Sequence, residues 1–152
     1  MKCVNLGLKV RLYPDEDMMI KINQNIGNSR FTWNKLLEYY KETYKLFKFH
    51  GYSKLKCNMT TFNAMLNMLK KEHDFLYLSE SSSLQQVYRD LIHAYNKFFN
   101  GKSCYPRFKS KKHDKKAFRI QNNGNIKIKP HTIIFPKLGE VYYRTSKKYR
   151  EK

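Results

Sequence analysis

The residues best suited to chemistry in this sequence form a basic segment, residues 105–119. It holds seven lysines or arginines and one acid, and the rings of Tyr105, Phe108 and Phe118 lie among the cations. Cations attract phosphates and release condensed counterions, while aromatic rings offer faces on which unpaired bases stack. The segment therefore predicts a nucleic-acid-binding surface. A solvated basic loop is the alternative, but solubility alone requires neither so uneven a charge nor interleaved rings.

Positive charge is concentrated in the last third of the chain. The sequence has 31 basic and 12 acidic residues, a net charge of +19, and residues 101–152 alone carry 16 basic and 3 acidic residues. This distribution favours a binding face beside a helical body. An anionic membrane is the competing partner, but it would select a basic amphipathic helix. Pro106, Gly124 and Pro130 break the basic part instead, so we expect no membrane partner.

Other chemistry is not indicated by the sequence. Cys3, Cys57 and Cys104 are far apart with no CxxC pair, and the five histidines lack HxH or HExxH spacing. There is no glycine-rich phosphate loop and no nucleophile motif. We therefore expect no catalytic residues, no metal and no cofactor. No long apolar run or signal-peptide pattern is present, which favours a cytoplasmic protein.

The first 100 residues predict one strand followed by three helices. Apolar and polar residues alternate over residues 3–12, a half-buried strand that ends at Tyr13 and Pro14. Apolar residues at steps of three and four then predict a long helix, capped near Asp15, kinked or interrupted near Gly27 and closed by Gly51. The members of this stripe are Met19, Ile22, Ile26, Trp33, Leu37, Tyr40, Tyr44 and Phe47. Trp33 lies on the stripe, so a core position is favoured over base stacking.

Capping patterns place the two further helices. One begins at Thr60 or Thr61 and runs through Leu69, and the other begins at a capping box and ends at Gly101. The box pairs Ser82 with Gln85, or Ser83 with Gln86. These helices complete the helical body.

The C-terminal third predicts short strands, at residues 117–121, 125–129, 132–135 and 140–145. Asn and Gly in residues 122–125 indicate a hairpin-type turn, because both tolerate positive φ. A lone N-terminal strand is not stable, so it must pair with these C-terminal strands. The sequence therefore predicts an α+β fold, in which a small antiparallel, barrel-like sheet is interrupted by a three-helix insertion.

Several short strings occur in an order typical of a known family. They are residues 12–14 (LYP), 27–35 (GNSRFTWNK), 83–86 (SLQQ), 89–91 (RDL), 94–99 (AYNKFF), 105–112 (YPRFKSKK) and 135–139 (FPKLG). In this order and spacing the chain resembles the N-terminal part of TnpB, the OrfB-type transposon-associated RNA-guided nuclease. The resemblance implies a wedge domain from residues 1–14 and 105–152, and a helical recognition or helix-turn-helix domain from residues 15–104.

The resemblance also implies partners and site residues. Members of the family hold a guide RNA and read a short motif flanking the target DNA. The residues carried over to motif reading are Ser81, Ser82, Gln85, Gln121, Asn122 and Asn123. Gln and Asn can bond an adenine edge and Ser can serve several bases, although capping and turn formation would also explain these residue types.

Contacts with the phosphate backbone are expected from the cations, which fix register without specifying sequence. These residues are Arg30, Arg107, Lys109, Lys111, Lys112, Lys115, Lys116 and Arg119. Arg30 follows the family motif and could instead bridge helices and RNA. Base stacking is expected from Tyr105 and Phe108.

The chain departs from the family because it stops about where the RuvC-like nuclease core would begin. The separated Asp/Glu/Asp carboxylates of that core and the paired cysteines of a zinc ribbon are not found. We therefore expect a truncated, non-cleaving binding module, with the missing nuclease domain or a second copy of the chain as a further partner. Two alternatives stay open: a helix-turn-helix repressor that binds promoter DNA, and a structural RNA-binding protein such as a ribosome-associated factor.

Overall fold

The computed structural model describes residues 1–52 and 54–145, which form an α+β fold as predicted. The elements in chain order are strand β1 (Arg11–Tyr13), helix α1 (Glu16–His50), helix α2 (Met59–Glu72), a short 3₁₀ helix (Asp74–Leu78), helix α3 (Ser81–Phe99), and strands β2 (Lys127–Ile128), β3 (Thr132–Phe135) and β4 (Gly139–Arg144). The strands form one antiparallel sheet of order β1-β4-β3-β2, which is open and not closed into a barrel. Over the described residues, no helix is long and apolar enough to cross a membrane.

The two ends of the chain meet in the sheet, which confirms that the helices are an insertion. Leu12 of β1 lies opposite Tyr143 of β4, in antiparallel register. The predicted length of the first strand was wrong, however, because residues 3–10 are not in a strand and Val4 and Leu6 are 74% and 72% exposed. The register places Arg11 opposite Arg144, near the end of the described C-terminal residues. The described residues extend only to Thr145 beyond this pair, so β4 offers no partner for most of residues 3–10.

Helix α1 is continuous, so the interruption predicted near Gly27 was wrong. Its ends are as expected: the Asp15 carboxylate accepts a hydrogen bond from the Met18 amide at 2.8 Å, and Gly51 has φ of 68°. The gap in its apolar pattern has a different cause. Four polar residues occupy the buried face there, namely Asn25, Asn28, Ser29 and Thr32. Met19 and Tyr44, which were assigned to the buried stripe, are 48% and 39% exposed.

The caps of the other helices differ from the predicted ones. Asn58 caps α2, where its side chain accepts a hydrogen bond from the Thr61 amide at 3.0 Å. Glu80 caps α3 by accepting from the Ser83 amide at 2.7 Å, so neither predicted capping box forms. A carboxylate can accept a hydrogen bond from the same unpaired helix amide as a serine hydroxyl. The predicted start of α3 was therefore close to the observed one, although the capping residue was different. Gly101 follows α3 with φ of 68°, as its position predicted.

Two hydrophobic clusters organise the molecule, and α1 contributes to both. The larger cluster lies among the helices, where Leu36, Phe62, Leu84 and Tyr95 are almost fully buried. The smaller one lies on the sheet and contains Met18, Ile133, Leu138 and Val141. Because α1 is a single helix, it fixes the sheet relative to the helical body.

The connection between α3 and β2 is a long loop without a strand at residues 117–121, so that prediction was wrong. Its apolar residues Phe118, Ile120 and Ile126 nevertheless pack against the sheet cluster. The turn at residues 122–125 forms without a hairpin: the Asn122 side chain accepts from the Gly124 amide at 3.0 Å, and Gly124 has φ of 85°. The alternation of apolar residues in this loop therefore reflects burial of their side chains and not backbone pairing with another strand.

Candidate nucleic-acid interface

The basic segment is anchored to the middle of α1 by two adjacent residues. Trp33 donates its indole N–H to the Arg107 carbonyl at 2.9 Å. The Asn34 side-chain amide donates to the Lys109 carbonyl at 2.9 Å and accepts from the Lys109 amide at 2.7 Å. Trp33 is 8% exposed, which confirms its core position, and the Lys109 ammonium lies 4.0 Å from its ring centroid. The backbone of the segment therefore has a defined path.

A tight turn follows the anchor and projects the cations outward. The Ser110 amide donates to the Asp114 carboxylate at 2.6 Å, and the Asp114 amide donates to the Ser110 carbonyl at 3.2 Å. Asp114, the lone acid of the segment, thus has a structural role in the turn. The predicted backbone-contact residues on the segment are exposed except Lys109, which is half-buried; the exposed set is Arg107, Lys111, Lys112, Lys115, Lys116 and Arg119. Arg119, the last residue of this set, forms an ion pair with Asp90 of α3, which restricts its position.

A cleft of about 380 Å³ separates the basic segment from α1 and α3. Arg30 lines it together with Trp33, Lys115 and Arg119, so the structure brings Arg30 to the same face as the basic segment. The lining also includes the acidic residues Asp90 and Asp114, and Ser29, whose buried hydroxyl has no hydrogen-bond partner among the described residues. The lining has four cations and two acids, and one of the acids is paired with Arg119, so the cleft keeps a net positive charge suited to an anionic ligand.

The start of α3 and residue Gln121 are adjacent, although 39 residues separate Ser82 from Gln121 in the sequence. The Gln121 amide donates to the Ser82 hydroxyl at 3.1 Å, and the Gln86 side chain donates to the Gln121 side chain at 3.2 Å. Ser82 also donates to the Glu80 carboxylate at 2.6 Å and is 7% exposed. The two groups of residues predicted to read the flanking motif are therefore adjacent, and the buried Ser82 hydroxyl links Gln121 to Glu80 at the start of α3.

The outward-facing members of this surface are few. Ser81, Asn122 and Asn123 are exposed, and Gln85 is half-buried. The side-chain oxygen of Asn122 accepts the hydrogen bond of the turn, which leaves the side-chain NH₂ group to face outward. Contact between these residues and base edges stays a prediction.

The two predicted stacking rings differ in their surroundings. Phe108 is 55% exposed, as a stacking platform requires. Tyr105 is 42% exposed, but its hydroxyl is hydrogen-bonded to that of Tyr95 at 2.9 Å and its ring packs edge-on against Phe98. Tyr105 therefore presents one face of a ring whose position is fixed.

Sequence reasoning missed the polar residues that support this face. The Asn25 side chain donates to the Ser83 hydroxyl at 3.1 Å and accepts from the Glu80 amide at 3.0 Å, and Asn28 donates to the Ser79 hydroxyl at 2.7 Å. All five residues are buried. The available signal was the polar gap in the apolar stripe of α1, which marked a buried hydrogen-bonding face and not an interruption.

Lys137 was also missed. Its ammonium donates to the Tyr77 carbonyl at 2.6 Å and the Ser79 carbonyl at 3.1 Å, linking the β3–β4 turn to the residues before α3. Lys137 has φ of 61°, a left-handed conformation that is uncommon for a residue other than glycine.

Across residues 1–52 and 54–145, no group of three or more His, Cys, Asp or Glu could hold a metal ion, and all three cysteines are free thiols.

Comparison with known proteins places this geometry in context. Residues 1–48 match the family model HTH_OrfB_IS605, described as a helix-turn-helix domain. Over 114 residues the chain is 32% identical to a protein of Streptomyces pristinaespiralis named as an RNA-guided DNA endonuclease, covering 74% of this chain and 27% of that protein. Over 142 residues it is 29% identical to the protein of Escherichia coli (strain K12) named as the RNA-guided DNA endonuclease InsQ, covering 93% of this chain and 34% of that protein.

The matches cover most of this chain but only part of its relatives. The chain spans about a quarter to a third of the length of these two curated relatives. Within the matched residues 1–48, the structure has one short strand and one continuous helix. The domain description and the two relatives agree, and the chain therefore has an OrfB-type N-terminal portion.

Proposed function

We propose that this chain is a nucleic-acid-binding module of the kind found at the N-terminus of RNA-guided DNA endonucleases. The observation that carries the proposal is the basic segment itself. It holds six exposed cations on a backbone that Trp33 and Asn34 fix to α1. An anchored row of cations loses less conformational entropy on binding phosphates than a free tail would.

We further propose a division of contacts on this face. The cations and Arg30 contact the phosphates of a guide RNA, while the start of α3 and residues 121–123 face the motif that flanks the target DNA. The hydrogen bonds that join Ser82 and Gln86 to Gln121 support this arrangement, because they place both parts on one surface. Ser81, Gln85, Asn122 and Asn123 are the side chains left to meet base edges.

The proposal assigns binding, and not cleavage, to these residues. The helical recognition part is residues 15–104 and the wedge part is residues 1–14 and 105–152. Incubation of the full chain with Mg²⁺ and either DNA or RNA should leave the substrate intact. Cleavage that persists through repeated purification and is lost on substituting an acid of this chain would contradict this assignment.

The binding proposal is tested by fluorescence-anisotropy titrations of a labelled DNA duplex and a structured RNA at rising salt. The test variant replaces Lys111, Lys112, Lys115 and Lys116 with Gln. The logarithm of the affinity should fall less steeply with salt, by about 0.9 per lysine lost on duplex DNA. The matched control carries the same charge change on exposed lysines elsewhere: Lys2, Lys21, Lys56 and Lys71, each to Gln.

Two results would overturn the proposal. One is wild-type affinity no greater than that of a neutral protein. The other is an equal loss of slope in the control variant, because binding would then depend on total charge and not on the anchored segment.

A second candidate is a sequence-specific repressor, favoured by the helix-turn-helix description of residues 1–48. Such a regulator places a separate recognition helix in the major groove and commonly binds as a dimer. The matched residues contain one continuous helix, which does not supply that arrangement by itself. Dimerisation together with tight binding to a palindromic duplex in the absence of RNA would favour the repressor.

A further inference from the structure

A second cationic surface lies away from the basic segment, between the C-terminal half of α1 and the end of α3. It consists of two adjoining grooves of about 330 and 200 Å³, which share Tyr44 and Lys48. We refer to both together as the lysine–aromatic groove. Its other lining residues are Tyr40, Lys41, Lys45, Phe47, Tyr52, Lys54, Leu55, Tyr95, Phe98, Phe99 and Tyr105.

The groove carries charge of one sign. Lys41, Lys45 and Lys48 follow helical spacing and therefore share one side of α1, and Lys54 approaches from the segment after it. All four are exposed, and none of the residues lining the groove is acidic. A patch of four exposed cations with no acidic residue in the groove lining is complementary to a polyanion.

Three rings of the groove are exposed, and two of them pack against neighbouring rings. Tyr44, Tyr52 and Phe99 are 39%, 66% and 46% exposed. Phe99 stacks on Tyr95 with ring centroids 5.8 Å apart, and Tyr52 packs edge-on against Phe47 at 5.7 Å. Burial and the hydrogen bond to Tyr105 raise the pKa of Tyr95 well above its ordinary value, so its ring stays neutral. Rings that are fixed and partly exposed are suited to stacking.

The Lys54 ammonium lies 5.7 Å from the Phe99 ring centroid and so joins the cations to the rings. We propose that the lysine–aromatic groove binds an unpaired segment of nucleic acid, with bases stacked on its rings and phosphates on its lysines. This inference rests on the proposed function and adds a contact specific for single strands. A duplex keeps its bases stacked internally and could use only the lysines, whereas an unpaired strand can use both.

The groove is continuous with the basic segment through Tyr105, which belongs to both. A single strand could therefore pass from the basic segment into the groove. An anionic membrane would be attracted by the same lysines, but the rings lie in a groove, whereas membrane-surface helices bury a protruding apolar face. Unpaired nucleic acid is thus the occupant that the shape and the charge favour.

The test compares two variants of the full chain on a short unstructured uridine oligonucleotide and on a duplex. Replacing Tyr44 and Tyr52 with Ala should weaken binding of the oligonucleotide about tenfold or more and leave duplex binding unchanged. Replacing Lys41, Lys45 and Lys48 with Gln should reduce the salt slope for the oligonucleotide by about 2, at about 0.7 per lysine on single strands. Matched controls are Tyr77→Ala, at a 55% exposed ring, and Gln at Lys21, Lys56 and Lys71.

The outcomes separate this inference from the proposed function. If both groove variants bind the oligonucleotide like wild type while loss of the basic segment's lysines weakens binding, the groove inference is overturned and the proposed function stands. If the wild-type chain binds neither nucleic acid, both fall. If the groove variants lose binding only to vesicles containing phosphatidylserine, the occupant is a membrane and the inference is overturned. Unchanged circular dichroism of each variant confirms that it is folded.

Discussion

Replacing Asn34 with Ala should loosen the basic segment without removing any group that would touch a ligand. The substitution removes the two hydrogen bonds that join α1 to the Lys109 backbone. Two bonds of this kind contribute about 2 kcal/mol together. Alanine is the better helix former and returns about 0.6 kcal/mol. The net loss of about 1.4 kcal/mol should lower Tm by about 3–6 °C for a chain of this size.

The matched control is Asn23→Ala, at an exposed position on the same helix. It has the same gain in helix propensity, so the difference in Tm between the two variants isolates the anchor. Amide hydrogen exchange measured by NMR should accelerate at Lys109 in Asn34→Ala and not in the control. Equal Tm values and equal Lys109 exchange in the two variants would refute the view that Asn34 holds the segment.

Three further predictions concern hydrogen bonds between separate elements of the fold. Asn25→Ala should cost about 2–4 kcal/mol in urea unfolding, because it leaves the buried Glu80 amide without its partner; a loss no larger than that of exposed Asn63→Ala would contradict this role. Ser82→Ala should cost about 1–2 kcal/mol and speed exchange of the Gln121 amide, since both of its hydrogen bonds disappear; unchanged exchange would argue against the bridge. Glu72 accepts the hydrogen bond of Tyr39 and raises the pKa of that tyrosine to about 12, so its stabilising effect is present below pH 10.0 and is lost as the pH rises toward 12. Glu72→Gln should return the Tyr39 midpoint toward 10.0 in NMR of the ring carbons, and a midpoint that stays near 12 would assign the shift to burial.

Element types and order could be predicted because several independent signals agreed. Period-3.6 patterns marked the helices, and Gly51 and Gly101 marked two helix ends through their positive φ. The pairing of the first strand with the last followed from the instability of a lone strand. These are local properties, or consequences of a single global constraint, and the sequence expresses them directly.

The errors arose where a side chain satisfied a pattern in an unexpected way. The alternation at Phe118 and Ile120 reflects burial on the sheet cluster without strand pairing. Alternation over residues 3–10 predicted a strand, but the pairing of β1 with β4 begins only at Arg11. The polar gap in α1 was interpreted as an interruption, although Asn25 and Asn28 fill it with buried hydrogen bonds. Periodicity reports which side chains share a face, and it does not report which groups that face will contact.

For the candidate interface, the residue types could be predicted, but the hydrogen bonds that hold these residues in place could not. The cations of the basic segment and their suitability for phosphates follow from composition. The anchor made by Trp33 and Asn34 joins residues more than 70 positions apart, and no local pattern signals it. The same holds for the proximity of Ser82 to Gln121. Long-range hydrogen bonds of this kind become visible only in the folded structure.

The central claim is that the anchored basic segment and the adjoining start of α3 form the nucleic-acid contact surface. Its most direct test is photo-crosslinking of the full chain to an RNA carrying photoreactive thiouridine, followed by mass spectrometry of the crosslinked peptides. We predict that crosslinks concentrate in residues 105–123 and at the start of α3, and that crosslinks outside this surface fall in the lysine–aromatic groove. Crosslinks confined to the outer face of α2, around Lys71, or distributed evenly over the exposed lysines would contradict the claim.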